Sequence, residues 1–343
     1  MFLFKPKEYV SCEQLEHGIH FDYTGLYYCG IYSHSNGNNT PVAKLSNDLN
    51  KCTKELLRVR KRDVKMLRSG KMINRCKDCF LLEKKVWEKS DKIKKMDISA
   101  NRRCNSNCIY CTSHKNKEYL NSLPDIPIYN FLEHLIKKNK IDKNIEIHWG
   151  GGEPTLLEEF ENIVDLFLNK TNSTFRIYSS GIKYSEHIAK AISLKRCTII
   201  ISIDSGNSEL YKKIKNVDKF DTVVNNITKY CEVQEKIKDT SHVILKYIII
   251  PGINDDYKHI YDFLKVAKNT NCVEVRCDLE QEWYKRNKDN IDKIMPLFKI
   301  MKYMDIQAKR MDLVHFFNIV PYRLIEMYTK EYETTTIEKE NIK

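Results

Sequence analysis

The sequence predicts an α/β protein built as a partial (β/α)6 TIM-like barrel, and three observations carry that reading. From about residue 95 onward, short apolar runs alternate with longer amphipathic stretches. The runs are β-branched and often apolar at consecutive positions, as strands covered on both faces are. Polar and glycine-rich residues gather where successive runs end, and a barrel collects its chemistry on that rim.

The strands are taken in order as KMDIS, IEIHW, FRIYSS, TIIISID, HVILKYIII and VEVRCDL. Helical patterns lie between them: IYNFLEHLIKKNK, LLEEFENIVDLFLNK, FDTVVNNITKYCEVQEKIK and YKHIYDFLKVAKN. Strands separated by helices run parallel with right-handed crossovers. A doubly wound open sheet obeys a similar end rule. Chemistry gathered at five consecutive strand ends suits a barrel better. The organisation expected is a cysteine-rich module over 1–92, the partial barrel over 93–284, and a helical extension with a loose charged tail over 285–343.

The 343 residues carry a net charge of +12, with 42% hydrophobic and 30% charged residues. That composition belongs to a folded globular chain. No run of eighteen apolar residues appears, and MFLFKPKEYVSCEQLEHG lacks a signal-peptide core, so a cytoplasmic protein with no membrane partner is the expectation. The lysines are dispersed, and the dense run KKVWEKSDKIKKM (84–96) contains acids. With no RNA-binding motif beside it, the charge reads as a solvated surface rather than a nucleic-acid site.

Cysteine usage is uneven. Eight of the twelve cysteines precede residue 112: Cys12, Cys29, Cys52, Cys76, Cys79, Cys104, Cys108 and Cys111. The chain is not a short secreted one, so clustered thiols point to metal or iron–sulfur ligation rather than a disulfide framework. The segment RRCNSNCIYCTS places Cys104, Cys108 and Cys111 within eight residues. A closed structural zinc site wants four protein ligands. A four-iron cluster held by three thiolates keeps one iron open. Cys197 and Cys231, by contrast, read as small buried hydrophobes.

CxxxCxxC with an aromatic before its last cysteine, followed by a strand ending in WGGGEPT, resembles the radical S-adenosylmethionine superfamily over residues 95 to about 280. The resemblance implies that Cys104, Cys108 and Cys111 hold a [4Fe–4S] cluster whose fourth iron chelates S-adenosylmethionine. It implies that Tyr110 packs near the adenine and that Gly151, Gly152 and Glu153 receive the methionine amine. Ser179 and Ser180 in RIYSSG are candidate cofactor contacts, and are also placed to cap the following helix. Ser202 and Asp204 would lie by the ribose, although Asp204 equally starts a turn. Pro251 to Asn254 form the cofactor-side loop of the fifth strand, and His148 reads as a strand residue rather than a ligand.

LRSGKMINRCKDCFLLE resembles a passage of the auxiliary-cluster domains called SPASM or twitch, which usually follow the barrel rather than precede it. The ligand set this implies is Cys12, Cys29, Cys76 and Cys79, with Cys52 as a spare. A second [4Fe–4S] cluster and a closed zinc site both remain open for these four. The activity implied is reductive cleavage of S-adenosylmethionine and hydrogen-atom abstraction from a peptide, protein side chain or small molecule. An auxiliary cluster would suit net oxidation or cross-linking, and an electron donor such as flavodoxin or ferredoxin is required. The alternatives are an RNA- or protein-modifying member of the superfamily without a redox auxiliary cluster, and a zinc-binding scaffold.

Overall fold

The computed structural model describes residues 8–30, 41–77, 79–111, 127–238 and 241–317. The chain divides into two compact units, Met1–Arg103 with Glu118–Ile177, and Cys104–Lys117 with Tyr178–Lys343. The expected helix around VPYRLIEMYTKEY and the charged tail lie outside the described residues. Both units are α/β with mostly parallel strands.

In the first unit, β1 (Tyr9–Ser11) pairs antiparallel with β4 (Glu83–Lys85), so the basic run 84–96 is divided between β4 and the next strand. Helix α1 (Glu13–His17) leads into β2 (Gly18–Asp22), and β3 (Gly25–Tyr27) folds back on it. Asp22 closes that turn by accepting the Thr24 amide at 3.0 Å. β2 then runs parallel to β5 (Ile93–Ser99), β5 to β6 (Ile141–Trp149), and β6 to residues 174–177 of β7 (Thr174–Ser179). Residues 18–22, read as part of the cysteine-rich module, therefore extend the sheet of the first expected strand.

Helix α2 (Leu49–Arg68) buries Leu56, Val59, Val64 and Leu67, and its buried Arg60 guanidinium donates to the Gly18 carbonyl. Helices α3 (Tyr129–Lys137) and α4 (Phe160–Lys170) follow β5 and β6. The first turn of α3 has no side-chain cap of its own. Glu159 supplies one from a distance, accepting the Ile128 and Tyr129 amides at 2.7 and 3.1 Å.

The second unit holds β8 (Cys197–Ser202), β9 (Val243–Ile249), β10 (Glu274–Leu279) and β11 (Val314–Phe317), parallel and in that order. Its helices are α5 (Glu186–Ser193), α6 (Ser208–Lys215), α7 (Phe220–Lys236), α8 (Tyr257–Asn269), α9 (Gln281–Asn287) and α10 (Ile291–Arg310). Ile199, Ile201, Leu245, Tyr247, Ile249, Val275, Cys277 and Leu279 are all buried. The Tyr247 ring lies 4.9 Å from that of Phe263 on α8, which marks that face of β9 as helix-covered. The six expected strands are present. β2 and β11 are added to them, and the region read as a helical extension contains β11 as well as α10. Among the described residues no helix is long and apolar enough to cross a membrane.

Candidate functional site

The cysteine loop is shaped by the end of a helix. A helix leaves its last carbonyls without intrahelical donors. At the end of α6, Lys215 O accepts the Asn107 amide at 2.9 Å and Ile214 O accepts the Ile109 amide at 3.0 Å. Asn216 then leaves the helix in the left-handed conformation, φ 55°. Within the loop the Cys111 amide donates to Cys108 O at 3.1 Å, closing a tight turn around Ile109 and Tyr110. Cys104, Cys108 and Cys111 are each partly exposed.

Tyr110 anchors this loop. Its ring packs against Leu210, Ile214 and Ile250. Its hydroxyl donates to Asp204 Oδ2 at 2.5 Å and accepts from Lys215 Nζ at 2.9 Å. Lys215 and Asp204 form a fully buried ion pair. Burial works against the Lys215 ammonium, but the charges of Asp204 and Cys108 outweigh it and its pKa is raised. Burial, then the Asp204 charge, push the Tyr110 phenol well above its usual range.

The resemblance implies a ribose contact for Asp204; the structure gives its carboxylate three protein partners. Besides Tyr110 and Lys215, Oδ1 accepts the Ile248 amide at 2.7 Å. Asp204 sits at φ 55°, and its carbonyl accepts from Asn254 Nδ2 at 3.1 Å. Asn254 is also fully buried: its Oδ1 accepts the Ile250 amide at 2.7 Å and its carbonyl accepts the Tyr247 hydroxyl at 2.7 Å. Two residues of the expected cofactor rim thus face inward as supports. Ser202, at the end of β8 two residues before Asp204, stays partly exposed, and so does Pro251.

Ser180 donates to Asn105 Oδ1 at 2.8 Å, which ties the end of β7 to the stretch between Cys104 and Cys108. Ser179 is buried and accepts the Gly181 amide at 3.0 Å. Neither caps the following helix; Ser185 does, accepting the Ile188 amide at 3.5 Å.

In the first unit, the glycine segment after β6 is zipped onto the residues that lead into Cys104. Gly152 N donates to Asn101 O at 3.2 Å and Glu153 N to Arg103 O at 2.8 Å, while Asn101 Nδ2 donates to Glu153 O at 3.1 Å. Gly151 adopts φ 89°. Glu153 is buried, and its Oε1 accepts the Thr155 hydroxyl at 2.8 Å. His148 lies on β6, 3.5 Å from Asp97.

Cys29, Cys76 and Cys79 lie near enough to Cys12 to act on its thiol electrostatically. Cys12 is the N-cap of α1, its Sγ accepting the Leu15 amide at 3.4 Å. Burial, together with the nearby Cys29, Cys76 and Cys79, pushes its thiol up to about 12. The Cys79 amide donates to Cys76 O at 3.2 Å, the same turn that joins Cys108 and Cys111. Cys52 is engaged elsewhere, its thiol donating to Lys44 O at 3.2 Å. Among the described residues no three Cys, His, Asp or Glu side chains already stand as an assembled metal site. Both thiol sets nevertheless supply soft donors suited to iron–sulfur or zinc.

Sequence reading missed Lys215 and Asn254's inward role. SELYKKIK has the look of a solvated basic helix, and only the packing of α6 shows its last lysine buried.

Residues 98–264 match the family described as the Radical SAM superfamily. The chain is 27% identical over 183 residues to a GTP 3′,8-cyclase of Helicobacter pylori, covering 52% of this chain and 53% of that protein. A GTP 3′,8-cyclase of Clostridium acetobutylicum is 29% identical over 184 residues, covering 52% and 54%. A protein of Brachyspira hyodysenteriae named GTPase Obg is 25% identical over 180 residues, covering 50% and 25%. The chain thus spans about half, or less, of these relatives. The crystal structure of Streptococcus suis SuiB bound to S-adenosylmethionine superposes with a TM-score of 0.50 at 12% identity, covering 85% of this chain and 60% of that one. SuiB bound to its precursor peptide SuiA gives the same TM-score and identity, covering 94% and 75%. These likenesses bear on the fold alone, and they agree with the α/β partial barrel.

Proposed function

We propose, from the premise that this chain carries a radical SAM superfamily domain, that it is an enzyme whose Cys104, Cys108 and Cys111 hold a [4Fe–4S] cluster. The observation that carries this is the loop itself: three partly exposed thiols on a backbone whose amides at 107, 109 and 111 are already satisfied by protein carbonyls. Three thiolates leave one iron open for the amine and carboxylate of S-adenosylmethionine. What the cluster supplies when bound is one electron for cleaving the sulfonium, and so a carbon radical able to take a hydrogen atom.

The protein's part is to bind, orient and enclose. Gly151, Gly152 and Glu153 offer backbone acceptors to the methionine amine. Ser180, Ser202 and the Tyr110 ring line the adenosine side, with Ser179 and Asp204 as supports behind them. Cys12, Cys29, Cys76 and Cys79 form a second centre, a [4Fe–4S] cluster or a zinc site. The electrostatic influence of Cys29, Cys76 and Cys79 on the Cys12 thiol supports that reading. An iron–sulfur centre there would accept an electron from a substrate radical and make the reaction a net oxidation or cross-linking. SuiB, a protein of like fold, has been seen with a precursor peptide, which puts a peptide first among substrates. The relatives named GTP 3′,8-cyclase put GTP among the small molecules to try.

The test is anaerobic reconstitution of the wild type and a Cys104/Cys108/Cys111→Ala variant, with iron, sulfide and zinc counts. Dithionite and S-adenosylmethionine are then added and 5′-deoxyadenosine measured. The expectation is about four fewer irons in the variant and cleavage in the wild type alone. Equal iron and no cleavage in either would end the proposal.

A further inference from the structure

The face of the second unit's sheet opposite α8 carries charge. Tyr247 on β9 packs on Phe263 of α8, so its chain neighbours Lys246 and Ile248 belong to the other face. In register with Lys246 stand Ser202 on β8 and Arg276 on β10, and Arg276 is in turn opposite Phe316 on β11. One row across four strands therefore reads serine, lysine, arginine, phenylalanine. Its two cations sit side by side on strands about 4.8 Å apart, where like charges repel.

Each cation is held by its own carboxylate. Lys246 Nζ meets Asp278 Oδ2 at 2.6 Å, and Arg276 Nε donates to Glu274 Oε1 at 2.8 Å. The carboxylates are turned inward, their side chains 2% and 4% exposed, while those of Lys246 and Arg276 stay 17% and 18% exposed. What the row presents outward is thus positive. An ammonium has three N–H donors and a guanidinium five. Among the described residues neither cation has a second hydrogen-bonded partner, so most of these donors are uncommitted. The row also lies close to the cysteine loop. Ile248, about 6.6 Å of strand beyond Lys246 on the same face, packs against the Leu210, Ile214 and Ile250 cluster that also holds Tyr110.

Resting on the reading of this chain as an enzyme acting at that loop, we propose that Lys246 and Arg276 form a substrate subsite for one anionic oxygen group, a carboxylate or a phosphate, bridged between their uncommitted donors. Such a group relieves the repulsion along the row, and charge-assisted bonds from two sides fix its orientation. Asp278 and Glu274 are positioning residues that hold the two donors. Phe316, 51% exposed, gives an apolar flank to the part of the substrate that carries the anion. The substrate is accordingly an acid: a peptide presenting a carboxylate or a small molecule presenting a phosphate.

The experiment measures calorimetric binding of succinate, the carboxylate probe, and inorganic pyrophosphate, the phosphate probe, to the reconstituted full-length chain. Two paired variants are compared with wild type, Lys246→Gln with Asp278→Asn and Arg276→Gln with Glu274→Gln. Each removes a cation together with its partner's charge, so no buried carboxylate is left unpaired. Lys258→Gln, on the exposed side of α8, is the control. Wild type is expected to bind at least one probe, the tighter one naming the source of the anion. Each paired variant should weaken that binding about tenfold, the fold-change of one charge-assisted hydrogen bond. Lys258→Gln should match wild type, and S-adenosylmethionine affinity should be unchanged throughout. Binding of neither probe overturns the inference. So does an equal loss in Lys258→Gln, which would mark general attraction to a chain of charge +12. A tenfold loss of S-adenosylmethionine affinity in the paired variants also overturns it, since the cations would then belong to the cofactor. Should one paired variant fail to fold by circular dichroism, the other decides alone. A wild type that binds a probe but forms no 5′-deoxyadenosine removes the enzyme reading and leaves the anion site standing. One that forms 5′-deoxyadenosine and binds neither probe removes only this inference.

Discussion

Gly152 and Arg103 meet backbone to backbone: a Cβ built on Gly152 would stand 2.2 Å from the Arg103 carbonyl oxygen, which itself accepts the Glu153 amide at 2.8 Å. No side chain fits there without parting the glycine segment from the residues that lead into Cys104. Gly152→Ala is therefore expected to cost about 1–3 kcal/mol of stability, the range for forced overpacking. It should also abolish 5′-deoxyadenosine formation. Thermal unfolding and the cleavage assay check both, and a variant matching wild type in each would show the close approach to be dispensable.

Asn254 bridges Asp204 and the end of β9 with its side chain. Asn254→Ala leaves the Ile250 amide and two carbonyls without that partner. Leaving buried polar groups unsatisfied costs about 1–3 kcal/mol for each donor lost, and chemical denaturation should read a loss of that order. Tyr110 is supported through Asp204, so iron retention should fall in the same variant. Stability within experimental error of wild type would refute the buried role.

Asp305 on α10 is held by Lys309 at 2.8 Å and by His315 on β11 at 3.3 Å. Burial alone would raise its pKa, but these two hydrogen bonds win and lower it from 3.8 to about 2. A carboxylate with a depressed folded pKa stabilises the fold above its unfolded value, and that contribution is lost as pH falls through the folded one. Stability should decline between about pH 4 and pH 2, by about 1 kcal/mol once solvent screening of the Lys309 pair is allowed for. Asp305→Asn should flatten this part of the pH–stability curve. An identical slope in the variant would place the acid sensitivity elsewhere.

Cys76→Ala/Cys79→Ala and Cys52→Ala separate the N-terminal ligands from the spare. The double variant is expected to lose about four irons, or about one zinc, while keeping 5′-deoxyadenosine formation. Cys52→Ala should change neither count, because its thiol is turned to the Lys44 carbonyl. Metal loss in Cys52→Ala would require a different ligand set.

Much of the architecture is visible in the sequence because burial on both faces leaves a local signature. CTIIIS and VILKYII are apolar at nearly every position and flanked by polar stops, so β8 and β9 need no tertiary knowledge to find. β2 and β11 are different. GIHFD is five residues long and buried throughout, yet it carries a histidine and an aspartate. VHFF is four residues at the end of a helical region. Each becomes a strand by pairing with a neighbour distant in sequence, β5 for one and β10 for the other.

The candidate site divides the same way. The three thiols of CNSNCIYC and the turn of GGGEP are local chemistry, set by residue type and spacing, and the sequence by itself determines them. It also determines the class of cofactor they suit, since donor softness and ligand number belong to the residues. Which polar groups support the cysteine loop from within was decided only by the tertiary structure. Asp204 reads as a ribose contact or a turn starter, Asn254 as part of the cofactor-side loop, and Lys215 as one more lysine on a charged helix; all three are buried. The reason is that a buried charge is tolerable only beside its partner, and the partners of Lys215 lie 11 residues away at Asp204 and 105 residues away at Tyr110. Spacing along the chain carries no record of such meetings.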